Sequence, residues 1–227
     1  MNIPVIFEDT NILVVNKPSG IVIHPFDYST EPTLLDFLLQ HSPDIFSIHN
    51  TVTLQDNRVI SIGGIVHKLD RDTSGILVIA KNEKTFDELK EQFRNHTTKK
   101  VYVALVEGIV TEDSFTINAP LGRNKKEYKQ VANPSNPRGE LREAVTDLKV
   151  LKRNDKTTLV ELLPKTGRTH QLRAHMTYIG HPIVGDKAYG STVDAPRIML
   201  HAKELSFSLQ GKTLAFIADT PESFSFC

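Results

Sequence analysis

The densest cluster of polar residues surrounds Asp70, in the segment GGIVHKLDRDTSGILVIAKN at 63–82. Asp70 stands directly before a run of branched apolar residues that is typical of a buried strand. A carboxylate anchored by a rigid strand can face a cleft and act as a nucleophile or a base. An aspartate in a turn can equally bond its own backbone, so this segment alone leaves a purely structural role open.

Asp70 and Asp72 also form an Asp-x-Asp pair, which would suit a metal-dependent phosphotransferase. Carboxylates of that kind typically follow an apolar strand, whereas here the longer apolar run comes after them. The nine histidines are scattered, without the short spacing of a ligand set. We therefore predict no metal site and keep the phosphotransferase as the weaker alternative.

A second polar cluster is PKTGRTHQLRAHM at 164–176. Arg168 stands at a glycine-led helix start, where backbone N–H groups and the helix dipole favour phosphate. Arg173 lies on the flank of an apolar stripe that includes Leu172, from where it can reach into a site and pair with a carboxylate. An ordinary amphipathic helix with solvent-facing arginines fits the pattern equally well. Tyr102, in the strand-like run KKVYVALVEG, indicates little by itself.

Strand patterns predominate along the chain, with helical patterns between them. Apolar runs predict strands at 5–7, 12–16, 75–82, 100–106, 144–151 and 157–163, and a hairpin over 205–217 with Gly211 in its turn. Helical spacing and capping residues predict helices that begin near Thr33, Glu83 and Thr169. The segment 41–64 is polar and is expected to be an irregular surface excursion.

This pattern favours an α+β fold with a central mixed, mostly antiparallel sheet, flanking helices and an active-site cleft. We find no internal repeat and no convincing linker, and we expect one catalytic domain over residues 1–227. Hydrophobic residues make up 39% and charged residues 24%, as in ordinary globular proteins. No apolar run is long enough to span a bilayer. The only cysteine is Cys227, which excludes an intrachain disulfide and fits a cytoplasmic protein.

The formal net charge is zero, but the charges are unevenly distributed. Residues 121–176 contain 13 Lys and Arg against 6 Asp and Glu, a net of +7. A local basic region of this kind can meet the phosphates of a nucleic acid, or it can be a solvated face without a partner. Charge alone does not decide between these alternatives.

Together these segments resemble the RluA-type pseudouridine synthases. HKLDRDTSGILVIAKN at 67–82 is similar to the signature of that family, in which His-Arg-Leu-Asp precedes a Thr-Ser-Gly strand. Further blocks match the family in the same order: ILVVNKPSGIVIHP at 12–25, YVALVEG at 102–108, TGRTHQLRAHM at 166–176, HPIVGDKAYG at 181–190 and LHAKELSF at 200–207. The resemblance extends over residues 5–217, which is nearly the whole chain.

The resemblance implies an RNA-modifying enzyme without a cofactor, which detaches uracil from its ribose and rejoins it through carbon 5. By similarity, Asp70 is the catalytic carboxylate and Arg173 the basic residue that pairs with it. Tyr102 matches the aromatic residue that stacks on the target base, and Leu172 the apolar residue beside that base. An arginine partner would keep the carboxylate ionised. Whether Asp70 attacks the sugar, attacks the base or removes a ribose proton stays open.

The expected partner is a structured RNA, a tRNA arm or an rRNA hairpin, without an obligatory protein partner. The target uridine must leave its stack to enter a pocket, and phosphate contacts supply much of the affinity. We expect Lys125, Lys126, Lys129 and Arg168 to contribute to those contacts.

Two departures from the family pattern bear on RNA recognition. Lys68 stands where the family usually has an arginine that helps to displace the target nucleotide, and lysine lacks the planar fork of arginine. The motif similarity begins within about ten residues of Met1, so we expect no separate N-terminal RNA-binding module. A non-catalytic RNA-binding protein of the same fold remains the main alternative, and Lys68 is the one feature in its favour.

Overall fold

A computed structural model describes residues 2–25, 31–124, 129–135 and 137–224. The chain divides into two compact units, of which the first comprises residues 1–99 and 204–218 and the second residues 100–203 and 219–227. The prediction of one catalytic domain over 1–227 stays a prediction. Among the described residues, no helix is both long and apolar enough to cross a membrane.

The first unit contains strands and helices in the order β1 (Val5–Glu8), β2 (Ile12–Lys17), α1 (Leu34–His41), β3 (Thr51–Thr53), β4 (Val59–Ser61), β5 (Ser74–Ala80) and α2 (Glu83–Arg94). The second unit, which begins at the second residue of β6, continues with β6 (Lys99–Glu107), β7 (Ser114–Asn118), β8 (Leu121–Asn124), β9 (Gln130–Ala132), β10 (Pro137–Arg142), β11 (Val145–Arg153), β12 (Thr157–Pro164) and α3 (Gln171–Tyr178). The final strands are β13 (Leu200–Leu209), whose residues belong partly to each unit, and β14 (Lys212–Ile217).

In the first unit the strand order is β1-β2-β5-β13, and β14 pairs with β13. All seven residues of β5 are buried. One face of α2 contributes Phe86 and Leu89 to a core that also contains residues of β2, β5 and β13. The predicted caps are confirmed at α1, where Thr33 and Asp36 form a reciprocal capping box.

In the second unit the strand order is β13-β6-β12-β11-β7, and β10-β8-β9 form a separate small sheet. The register of β6 with β12, of β12 with β11 and of β11 with β7 is antiparallel throughout. The inner face of α3 packs Leu172, Ala174 and Met176 into the core of this unit. The observed elements confirm the predicted α+β class with a mostly antiparallel sheet.

Two sequence-based expectations about local structure are wrong. The segment 41–64 is not irregular: it contains a 3₁₀ turn at Pro43–Ser47 and the β3–β4 hairpin, and it buries Ile45, Ile48 and Leu54. The third helix begins at Gln171 rather than after a Thr169 cap, because His170 adopts the left-handed conformation with φ 53° and interrupts the helix there.

His175 ties α3 to the sheet of the second unit. Its ring is fully buried, with Nδ1 2.9 Å from Oγ1 of Thr146 and Nε2 2.9 Å from the carbonyl oxygen of Ala119. Burial lowers the pKa of His175 because it penalises the charged ring. The folded protein therefore keeps this histidine neutral at pH values where the unfolded chain protonates it.

We expect this histidine to make stability fall as the pH is lowered below about 6.5, the ordinary histidine pKa. There the unfolded state binds a proton that the folded state excludes, which costs up to about 1.4 kcal/mol of unfolding free energy per pH unit. Urea unfolding between pH 8 and pH 5 measures this, and His175→Gln should lose this part of the pH dependence whatever its stability at pH 8. Parallel pH curves for the two proteins would contradict the assignment.

Candidate active site

Asp70 lies in a tight turn that leads into β5. The N–H of Thr73 donates to the carbonyl oxygen of Asp70 at 3.2 Å and closes the turn, and the Asp70 side chain is half-buried. The turn is therefore formed by the backbone of Asp70. Leu69 before it is buried and anchors the turn, whereas the side chain of Lys68 is exposed.

The buried ammonium group of Lys17 anchors this turn through hydrogen bonds to backbone carbonyl oxygens. Lys17 is fully buried at the end of β2, and its Nζ donates to the carbonyl oxygens of Pro18 (2.9 Å), Ile21 (2.8 Å) and Arg71 (2.9 Å). A buried lysine is tolerable only when its N–H groups find acceptors. Here the acceptors come from two separate segments, so the loop after β2 and the turn after Asp70 are joined at one point.

Further hydrogen bonds in this loop have the same effect. The N–H of Gly20 donates to the carbonyl oxygen of Arg71 at 2.9 Å, and Oγ of Ser19 donates to the carbonyl oxygen of Asp72 at 2.7 Å. Gly20 has a φ of 87°, a conformation that glycine adopts without strain. The Lys-Pro-Ser-Gly block at 17–20 thus positions the backbone on which Asp70 stands.

In the second unit, Arg173 on α3 forms a buried ion pair that the sequence did not reveal. Its Nε and Nη2 donate to the two carboxylate oxygens of Asp186 at 2.6 and 2.9 Å, and the Asp186 side chain is fully buried. The guanidinium also stacks on Tyr189, with Cζ 4.6 Å from the ring centroid. The bidentate geometry fixes the plane of the guanidinium as well as its position.

The loop that carries Asp186 has a conformation only glycine permits at the preceding residue. Gly185 has φ +81°, and a Cβ there would lie 2.2 Å from the carbonyl oxygen of Arg197. The carbonyl oxygen of Asp186 accepts the N–H groups of Tyr189 and Ser191, each at 3.0 Å. The backbone conformation of this loop therefore fixes the position of the Asp186 carboxylate independently of its ion pair with Arg173.

The signal for Asp186 was present in the sequence as the block HPIVGDKAYG, but that block had no assigned role. The sequence predicted that Arg173 pairs with Asp70. The structure gives Arg173 a carboxylate partner in Asp186, and this partner takes two of the five N–H donors of an arginine. The pairing of Arg173 with Asp70 stays a prediction.

Tyr102 and Leu172 belong to the same unit as Arg173. Tyr102 is half-buried on β6, opposite Leu162 of β12, and packs against the core of the second unit. Leu172 precedes Arg173 on α3 and is 6% exposed. Their predicted positions beside the target base remain predictions.

Of the four residues predicted to contact phosphate between residues 121 and 176, the structure describes two. Arg168 does not lie at a helix start, because α3 begins three residues later; its Nε donates to the carbonyl oxygen of Glu143 at 3.0 Å. Lys129 donates to the carbonyl oxygen of Ala188 at 3.1 Å. Lys125 and Lys126 lie outside the described residues.

The carboxylate of Asp72 has a neighbour of its own. Its Oδ1 accepts a hydrogen bond from Nε of Arg71 at 3.1 Å, on the surface. Within the described parts of the chain, no three His, Cys, Asp or Glu side chains come together in a group that could hold a metal ion.

Residues 11–178 match the family model described as RNA pseudouridylate synthase. An uncharacterized RNA pseudouridine synthase of Bacillus subtilis, YlyB, is 38% identical over 99% of this chain and 71% of its own length. The ribosomal large subunit pseudouridine synthase D of Borreliella burgdorferi is 37% identical over 98% of this chain and 67% of its own. Among solved structures, human RNA pseudouridylate synthase domain containing 1 superposes with a TM-score of 0.78 at 28% identity, over 96% of this chain and 83% of that one.

These matches confirm the resemblance seen in the sequence and the predicted fold, since the family model and the relatives cover most of the chain. The chain therefore belongs to the RNA pseudouridylate synthase family, and its activity is that of an RNA pseudouridine synthase, an isomerase.

Proposed function

We propose that this enzyme converts uridine in a structured tRNA or rRNA to pseudouridine, with Asp70 as its catalytic carboxylate and Arg173 as the charged partner of that carboxylate. The observation that carries the proposal is the buried guanidinium of Arg173, gripped by Asp186 in a fixed plane. A rigid cation of this kind suits a site in which one carboxylate must stay ionised. Tyr102 and Leu172 would hold the detached base.

The reaction needs no redox cofactor and no ATP. The bond between N1 of uracil and C1′ of ribose breaks, the base turns, and a bond between C5 and C1′ forms while the hydrogen of C5 leaves as a proton. N1, freed from the sugar, takes up a proton in exchange, so the product is an isomer of uridine and nothing is oxidised. A carboxylate contributes either as a nucleophile or as a base, and Tyr102 is the proposed group that helps to remove the C5 proton.

The substrate must expose its uridine, which favours a loop or another folded, unpaired site in RNA. Four of the relatives are named as synthases of the large ribosomal subunit, and this makes an rRNA hairpin the first substrate to test, before a tRNA arm. We propose Lys68, Arg168, Lys125, Lys126 and Lys129 as contacts to this RNA. A cytoplasmic location follows from the proposed substrate.

Replacement of Asp70 by asparagine should abolish the release of tritium from RNA labelled at C5 of uracil. The variant keeps the shape of the side chain but loses the charge that the chemistry needs, so we expect a rate at least about 10³-fold lower. Asp72→Asn is the matched control, because this neighbouring carboxylate bonds only a surface arginine among the contacts described above, and it should retain release.

Release that persists in Asp70→Asn would contradict the proposed role of this residue. Release that is lost with a chelator, or in Asp72→Asn alone, would favour the metal-dependent alternative. RNA binding without any release from rRNA or tRNA would favour the non-catalytic alternative, and Lys68→Arg is then the first variant to restore activity.

Asp186→Asn should reduce both stability and catalysis. It leaves the buried Arg173 without its counter-charge, and breaking such a pair costs about 3–5 kcal/mol of unfolding free energy. Below the new melting temperature, we expect kcat to fall about 100-fold because the guanidinium loses its fixed plane, with little change in the RNA dissociation constant.

Asp194→Asn is the control, since Asp194 forms only a surface pair with Lys187 and its side chain is 96% exposed. The double variant Arg173→Met, Asp186→Leu separates folding from function, because two apolar side chains can replace a buried ion pair with little loss of stability. It should fold more stably than Asp186→Asn and be inactive. A well-folded Asp186→Asn with normal kcat would contradict the positioning role.

A further inference from the structure

Lys100 is a half-buried lysine without an electrostatic partner among the described residues. It lies on β6, and its neighbour Lys99, on the opposite face of the strand, forms an ion pair with Glu204 at 3.0 Å. Within the described ranges, no carboxylate and no other hydrogen-bond acceptor lies within bonding distance of the Lys100 ammonium group. Burial lowers the pKa of this group. A charge that is partly withdrawn from water and left unpaired costs free energy.

The ammonium group of Lys100 faces the turn at Gly167. A Cβ built on Gly167 would meet one described atom within 4 Å beyond its chain neighbours, the Nζ of Lys100 at 3.9 Å. Gly167 is itself exposed. The space beside this glycine is therefore bounded by a peptide backbone and a cation and is open to a ligand.

Hydrogen bonds hold this turn rigid on its inner side. The side-chain oxygen of Gln171 accepts from Oγ1 of Thr166 at 2.7 Å and from the N–H of Arg168 at 3.1 Å, and its Nε2 donates to the carbonyl oxygen of Val145 at 3.0 Å. The open space beside Gly167 is thus already formed without a ligand, which lowers the cost of binding one.

We propose that Lys100 and the turn at Gly167 bind a backbone phosphate of the substrate RNA. A phosphate supplies the negative charge that Lys100 lacks and accepts charge-assisted hydrogen bonds from its ammonium group. Lys100 and Tyr102 lie on the same face of β6, about 7 Å apart along the strand, so this phosphate would lie near the base that Tyr102 contacts. The inference rests on the proposed function for the identity of the ligand.

The test is the salt dependence of binding to an unmodified large-subunit rRNA transcript, with Lys100→Met against Lys99→Met as the matched control. Loss of one phosphate contact should make the slope of log Kd against log salt concentration shallower by about 0.7–0.9. We expect Kd to rise about 5- to 20-fold for Lys100→Met at low salt, and less than about twofold for Lys99→Met. Lys100→Arg should restore most of the affinity.

A stability measurement separates RNA binding from a structural role. Because Lys100→Met removes an unpaired, half-buried charge, its melting temperature should equal or exceed that of the wild type. Gly167→Ala tests the other side of the site: its backbone is not in the left-handed region and its methyl group meets no backbone atom, so it should fold normally and weaken binding by filling the open space. The double variant with Lys100→Met should bind no worse than Lys100→Met alone.

An unchanged salt slope for Lys100→Met would overturn the proposal, as would a lowered melting temperature or a fall in kcat at saturating RNA without a change in Kd. An affinity loss with an unchanged slope would indicate a contact to a base and would also overturn it. Binding is measured without turnover, so an inactive enzyme whose Lys100→Met variant shows the expected slope would refute the proposed function and leave the phosphate site standing.

Discussion

The buried ion pair between Arg173 and Asp186 is the interaction on which the position of the Arg173 guanidinium in the second unit depends. A guanidinium that is almost entirely removed from water must be paired, and pairing it bidentately requires a carboxylate in one place and one orientation. The positive φ of Gly185 and the hydrogen bonds to the Asp186 carbonyl meet that requirement. The ring of Tyr189 stacks on one face of the guanidinium. The block at 181–190 therefore fixes the guanidinium of Arg173, and this positioning is its part in the proposed mechanism.

The first unit uses a buried cation in a different way. Lys17 has three backbone carbonyl oxygens around its ammonium group, and these come from the loop after β2 and from the turn after Asp70. Lys17 thus fixes the position of the backbone in this turn, and the position of the Asp70 carboxylate depends on that backbone. Two sequence blocks that stand about 50 residues apart are thus one structural element.

Local rules predicted the elements that depend on local interactions. The cap at Thr33, the amphipathic spacing of Phe86 and Leu89 and the buried run of β5 were all readable from the sequence. The small sheet β10-β8-β9 and the 41–64 hairpin were missed because their strands are short and carry polar residues. The left-handed conformation of His170 was not predicted because no local sequence pattern indicates it. Asp186 and Lys100 could be recognised only from the fold: Asp186 by its ion pair with Arg173, and Lys100 because no described residue pairs with it.

Analysis of the product tests the central claim most directly. An unmodified large-subunit rRNA transcript would be incubated with the enzyme alone, digested to nucleosides and separated by chromatography, with the modified position mapped on the intact RNA. We predict that pseudouridine appears without any added cofactor, in an amount equal to the uridine lost, and at one or a few fixed positions. An unchanged uridine content in both this RNA and unmodified tRNA, with the RNA bound, would contradict the account.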